Sequence, residues 1–133
     1  MKKNKRYALI STFNKSGLKQ ICTNLKKNNI SIITTGATGQ YIKKSGFKCE
    51  SIENLTRFKE ILDGRVKTLH PKIYASLLFK RENKQHAKTF DTLNFPKIDF
   101  VIINLYPFKK TINQKSKIDE CIEMIDIGGP SLM

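Results

Sequence analysis

Apolar positions along this chain switch between two periods. Tyr7-Ala8-Leu9-Ile10-Ser11 is a short apolar run, the pattern of a buried first strand. Thr12 to Gly17 is a polar loop. Leu18, Ile21, Cys22 and Leu25 then recur at three- and four-residue steps, which predicts an amphipathic helix over 18–28. Ile30-Ser31-Ile32-Ile33-Thr34 reads as a second strand, closed by the small residues Thr35-Gly36-Ala37-Thr38-Gly39. A second helix is expected through Tyr41 and Ile42 to near Gly46, and a third strand over Phe47 to Ile52. This β-α-β-α-β order points to an α/β fold with a mostly parallel sheet and covering helices. Further on, 82–93 reads as a mostly polar helix and Ile98 to Asn104 as the clearest strand of all. Ser116 and Asp119 form a capping-box pattern, and Ile118, Cys121, Ile122 and Ile125 complete a helical stripe. Gly128-Gly129-Pro130-Ser131 resembles a turn leading into another helix, which does not arrive before Met133. A strand and a helix are expected to be missing, leaving part of the core uncovered.

The length of 133 residues suits one domain, 1–133, with a real core. Met1 to Arg6 resembles the basic start of a signal peptide, but the apolar stretch that follows is too short. No apolar run approaches membrane-spanning length, so the expectation is a soluble, cytoplasmic protein without a membrane partner. The formal charge of +14 raises a nucleic-acid partner, yet only four of the 25 cations are arginine. The lysines are scattered, without aromatic-basic interleaving. The charge is therefore read as solvated surface that helps draw in an anionic substrate, and no nucleic acid is expected as partner. Cys22, Cys49 and Cys121 give no disulfide framework and are expected to be buried free thiols; His70 and His86 form no metal-ligand pattern.

The chemistry is concentrated after strands and in one charged segment. Gly64-Arg65-Val66-Lys67-Thr68-Leu69-His70-Pro71 carries two cations, a hydroxyl and an imidazole. If extended, Arg65 and Lys67 share a side, pairing a forked cation with a point charge suited to a phosphate or a polarised carbonyl. A solvated basic turn is the competing reading. In an open α/β sheet, functional loops lie at the carboxyl ends of strands. Three such loops are candidates: Ser11 to Gly17, with Ser11, Lys15 and Ser16; Thr35 to Gly39, whose N–H groups and hydroxyls suit a phosphate at a helix start; and Asn104-Leu105-Tyr106-Pro107. Together they suggest a site for a phosphorylated small molecule. Asp126, between two isoleucines, is either a partly buried functional carboxylate or the cap of the following turn.

Three segments resemble, in order, the signatures of one family: Asp63 to Pro71, Asn104 to Phe108, and Ile125 to Pro130. The chain is similar, from about Tyr7 onward, to the inosine monophosphate cyclohydrolase half of the bifunctional purine-biosynthesis enzymes. The resemblance implies a three-layer, methylglyoxal-synthase-like α/β fold. It implies ring closure of 5-formamidoimidazole-4-carboxamide ribotide to inosine monophosphate with loss of water, without metal or organic cofactor, in a homodimer. It implies that Ser11, Lys15, Thr35, Gly36 and Thr38 line the phosphate end. Arg65, Thr68, Asn104, Ile127 and Gly128 then bind substrate around the base, with Lys67, Tyr106 and Asp126 catalytic.

The sequence departs from that pattern at several positions. Phe13 and Asn14 stand where serine and aspartate are usual, Ala37 where glycine is, and Tyr74 where histidine is common. The chain stops before the family's next segment, which carries an arginine and a further lysine, and the formyltransferase half has no counterpart, so a C-terminally incomplete domain is expected. Two other readings stand beside the cyclohydrolase: a methylglyoxal synthase-like lyase acting on a triose phosphate, and a non-catalytic nucleotide- or phosphate-binding module.

Overall fold

The structure is a computed structural model and describes residues 5–113 and 117–133. Four parallel strands form one sheet in the order β3-β2-β1-β4: β1 (Arg6–Thr12), β2 (Ile30–Thr34), β3 (Glu50–Ser51) and β4 (Lys97–Asn104). The helices are α1 (Leu18–Lys27), α2 (Gly36–Lys44), α3 (Ile52–Thr56), α4 (Pro71–Leu78), α5 (Lys84–Leu93), α6 (Phe108–Asn113) and α7 (Ile118–Glu123), followed by a 3-10 turn at Pro130–Leu132. Among the described residues no helix is long and apolar enough to cross a membrane.

Strand periodicity divides the core into two halves, because successive side chains leave a strand on opposite faces. Ala8, Ile10, Ile30 and Ile32 pack with Leu18, Cys22 and Leu25 of α1 and Ile42 of α2. Leu9, Ile33 and Ile98 pack on the other face with Ile52 of α3, Ile73 of α4 and Leu132 of the 3-10 turn. Helices thus cover both faces, and the expected three-layer α/β architecture is the one observed. Ala8, Leu9 and Ile10 are fully buried, as an interior strand with two covered faces requires. The β4 strand is paired only with β1 among the described residues, and Phe100 and Val101 on it remain more than a third exposed.

The β1–β4 register contains an irregularity. Tyr7 faces Ile98 but Ala8 faces Phe100, so Asp99 has no partner residue on β1, and Thr12 comes to lie opposite Asn104. The Asp99 side chain is buried and takes Arg6 Nε at 3.0 Å and the Arg81 guanidinium. Burial pushes the Asp99 carboxyl up, but hydrogen bonds and charge from Arg81 and Arg6 outweigh it and hold it below the ordinary carboxylate value.

Several expectations are corrected. The third strand shrinks to Glu50–Ser51, since Ser51 Oγ accepts from Asn54 N at 3.2 Å and starts α3. Helix α4, not anticipated, begins with Pro71 at its first turn and is capped by His70, whose Nδ1 accepts from Lys72 N at 3.1 Å. The helical stripe of α7 is not core: Ile118, Ile122 and Ile125 are exposed. Ser116 lies outside the described residues, and Glu120 rather than Asp119 supplies a carboxylate, accepting from Lys117 N at 3.0 Å. Of the three free cysteines only Cys22 is buried; Cys49 and Cys121 are half-buried.

Candidate active site

The parallel sheet brings the loops after β1, β2 and β4 to one edge, where they surround a cavity of about 510 Å³. At its β1–α2 side, Ser11 Oγ and Thr35 Oγ1 share a hydrogen bond of 3.1 Å. Thr35 is the N-terminal cap residue of α2 but makes no side-chain cap bond, so its hydroxyl leaves the first α2 amides to other acceptors. Ala37 and Thr38 of that first turn line the cavity. An anion there would meet open N–H groups and the positive end of a nine-residue helix. Ala37 takes a helical conformation, so the loss of the glycine costs the turn nothing.

Lys15 is tied back to this same corner. Its ammonium donates to the carbonyls of Thr12 and Phe13 and to Thr38 Oγ1. Thr38 Oγ1 also accepts from Thr12 N at 3.2 Å and donates to Thr12 O at 3.0 Å. Burial, joined by the charge of Lys67, pulls the Lys15 ammonium below its ordinary value. Two cations therefore face one cavity, and an anion between them would offset their repulsion and compensate the buried charge.

The segment after α3 is a tight turn rather than an extended strand. Ile61 and Val66 exchange backbone hydrogen bonds of 3.2 and 3.3 Å. Leu62, Asp63 and Gly64 between them have φ of +53°, +54° and +83°. Left-handed backbone at the two non-glycine positions costs about 1–3 kcal/mol each, and such strain persists only where the surroundings fix it. The turn presents Arg65, Lys67 and Thr68 to the cavity. Arg65 is paired with Glu123 at the end of α7. Among the described residues Lys67 has no ion-pair partner.

Asn104 and Tyr106 follow β4. The Asn104 side-chain oxygen accepts from Phe13 N (2.6 Å) and Asn14 N (3.0 Å), and its amide donates to Asn14 O (2.8 Å). One amide N–H remains for a ligand; the rest of the group clamps the loop after β1. The Tyr106 ring packs against Phe13, centroids 5.0 Å apart, so Phe13 supports the phenol from the side.

Asp126 caps the turn that follows it and also reaches the cavity. Its Oδ1 accepts from Gly129 N at 3.1 Å, capping the turn, while the residue is half-buried and lines the cavity. The two glycines are demanded by close approach. A Cβ on Gly129 would sit 2.5 Å from Asp126 Oδ2, and one on Gly128 2.7 Å from the buried Thr68 hydroxyl.

Of the residues singled out from sequence, Ser11, Lys15, Thr35, Thr38, Arg65, Lys67, Thr68, Asn104, Tyr106, Asp126, Ile127 and Gly128 all line this one cavity. Gly36 does not; its Cβ direction meets Glu60 instead. Ser16 is also off the wall, its amide donating to Asn14 Oδ1 at 2.8 Å. Sequence reasoning missed Glu123, for which the only signal was a carboxylate one helical turn before Asp126. It also missed the apolar wall of Leu62, Ile122 and Ile125.

A family model described as an MGS-like domain matches residues 17–131. The chain is 50% identical over 127 residues to the bifunctional purine biosynthesis protein PurH of Oenococcus oeni, covering 95% of this chain and 25% of that protein. It is 46% identical over 131 residues to PurH of Caldicellulosiruptor bescii (98% and 25%) and 41% identical over 129 residues to PurH of Clostridium perfringens (97% and 26%). The chain thus spans about a quarter of the length of these relatives. The solved structure of ForH shares the fold, with a TM-score of 0.77 at 22% identity over 96% of this chain and 64% of that one. With the family model matching residues 17–131, most of the chain, the chain belongs to the MGS-like domain family.

Proposed function

We propose that this chain acts in purine biosynthesis as an inosine monophosphate cyclohydrolase domain. Its reaction is the closure of 5-formamidoimidazole-4-carboxamide ribotide to inosine monophosphate and water. The observation that carries this reading is the convergence of Lys67, Tyr106 and Asp126, from three distant segments, on one cavity with the Ser11–Thr35 and Lys15–Thr38 corner. The similarity to PurH proteins over nearly the whole chain supports it.

The carboxamide nitrogen attacks the formyl carbon of the same molecule, forming the C–N bond, and the former formyl oxygen leaves as water. Because both groups sit on one ring, the chain need only hold them in register, which converts binding into rate. The ribotide phosphate takes the α2 amides and the Ser11 and Thr35 hydroxyls. Lys67 stabilises the oxygen on which negative charge develops. Asp126 accepts one carboxamide proton as the C–N bond forms. The formamido N–H proton is lost as the C–O bond breaks and the ring C=N forms, and these two protons end on the departing oxygen, the last delivered by Tyr106. In this reading the protein works as a homodimer and the chemistry draws on side chains alone.

Turnover of the ribotide, followed by absorbance, tests the proposal. The chain is expected to form inosine monophosphate, and Lys67→Ala to reduce kcat about 10²–10³-fold, as loss of an oxyanion donor does. A folded chain that binds inosine monophosphate without turnover would instead be a nucleotide-binding module. One that consumes a triose phosphate would be a lyase. Either result overturns the proposal.

A further inference from the structure

The turn that carries Asp126 is held from outside the cavity. Tyr74 of α4 places its hydroxyl 2.5 Å from Ser131 Oγ, and Ser131 Oγ donates to Gly128 O at 3.0 Å. Since the serine proton is committed to that carbonyl, its oxygen accepts from the Tyr74 hydroxyl. The proton direction runs one way, from Tyr74 through Ser131 to the Gly128 carbonyl. Ser131 N also donates to Ile127 O at 3.0 Å, and Leu132 N to Gly129 O at 3.1 Å. The Tyr74 ring packs against the apolar cluster that holds Ile73 and Leu132, which fixes α4 relative to the turn. On its inner side the same turn meets Thr68 through Gly128 and the Asp126 carboxylate through Gly129.

We infer that Tyr74 is a positioning residue for Asp126, acting through Ser131 and the Gly128–Gly129 backbone. The room around this turn leaves little alternative. Asp126 Oδ1 is bonded to Gly129 N, and Oδ2 lies only 2.5 Å from where a Cβ on Gly129 would be. A displacement of the Gly128 carbonyl therefore moves the amide that orients the carboxylate. The catalytic meaning of this inference rests on the proposed function; the link from Tyr74 to the carboxylate does not.

The Gly129 amide reports on the link directly, because a proton donated to a carboxylate changes chemical shift when that carboxylate is protonated. Nuclear magnetic resonance of the labelled chain through an acid titration is expected to show the Gly129 amide following Asp126. In Tyr74→Phe, which keeps the ring in its apolar cluster, this response loses most of its amplitude. Ser131→Ala has the same effect, and the double variant no more than either. Tyr74→His, which retains a donor, restores part of it. Full amplitude in Tyr74→Phe or in Ser131→Ala overturns the inference. In the turnover assay the same two variants are expected to lose kcat about tenfold with KM unchanged, as slight misplacement of a reacting group does. Absence of turnover in every form, with the amide response behaving as expected, would sink the proposed reaction and leave the positioning role standing.

Discussion

At the scale of single residues, the cavity is organised by what each polar group has already spent. Lys15 has committed its donors to two carbonyls and the Thr38 hydroxyl, whereas Lys67 has no ion-pair partner among the described residues. Burial and the neighbouring Lys67 charge both lower the Lys15 ammonium, so in the folded chain its charged form is disfavoured. The destabilisation is present at neutral pH and is relieved as pH rises through the folded value toward 10.5. Lys67→Ala removes one of the two causes. The Lys15 ammonium is then expected to titrate higher than in the unaltered chain, though still below 10.5, by nuclear magnetic resonance of its Cε and Nζ. An unchanged Lys15 titration would mean that the two charges do not meet in the cavity.

At the scale of elements, what the sequence disclosed depended on how many residues carried the period. The β1, α1 and β2 elements were legible because their apolar residues repeat cleanly and are buried where the period puts them. The β3 and α3 elements were not, because two strand residues and five helix residues are too short to set a period, and tertiary contact decides where Ile52 points. The α4 helix carried its Pro71 start signal openly, but the signal was absorbed into the charged segment before it. The stripe on α7 shows the reverse failure: Ile122 and Ile125 repeat like core residues, yet they wall the cavity. Apolar periodicity does not distinguish a face that meets the core from one that meets a ligand.

The β1–β4 pair carries its own prediction. The Asp99 carboxyl is lowered in the fold, so its contribution to stability is complete above the ordinary carboxylate value of 3.8 and is lost as pH falls through the lowered one. Asp99→Asn is expected to reduce unfolding free energy at neutral pH by about 1.5–3 kcal/mol, the range for hydrogen bonds to charged groups. In urea melts, the difference from the unaltered chain should shrink steadily below that value. A deficit that is constant with pH would mean that the arginine pairing does not hold the strand.

At the scale of the whole molecule, the α/β architecture was legible from the alternation of strand and helix patterns, and with it the set of polar positions that the fold gathers at one edge. Ser11, Thr35, Asn104 and Asp126 stood out because each is polar at the end of an apolar segment, and a parallel sheet sends the ends of its strands to one edge. Leu62 and Glu123 were not legible as cavity residues, because only the closed turn at 61–66 and the packing of α7 bring them in. Large apolar side chains stay outside both halves of the core: Phe100 and Val101 on β4, then Leu105 and Phe108. Extensive exposed apolar surface marks a place of association. Sedimentation equilibrium is expected to give a species of twice 15.3 kDa. A monomer at every concentration would remove the homodimer from the proposal.

The unpaired residue in β4 sets the phase of the sheet edge. Strand side chains alternate faces, so adding or removing one residue reverses every position beyond it. Asp99 is the residue that β4 has in excess of β1, and only by counting it does Asn104 come level with Thr12, within reach of the Phe13 and Asn14 amides. Its carboxylate anchors one end of the sheet while its place in the count aligns the other. Substituting Asp99 weakens the anchor and keeps the count. Deleting it would put Asn104 out of step with the loop it clamps, and Phe13 and Tyr106 with it.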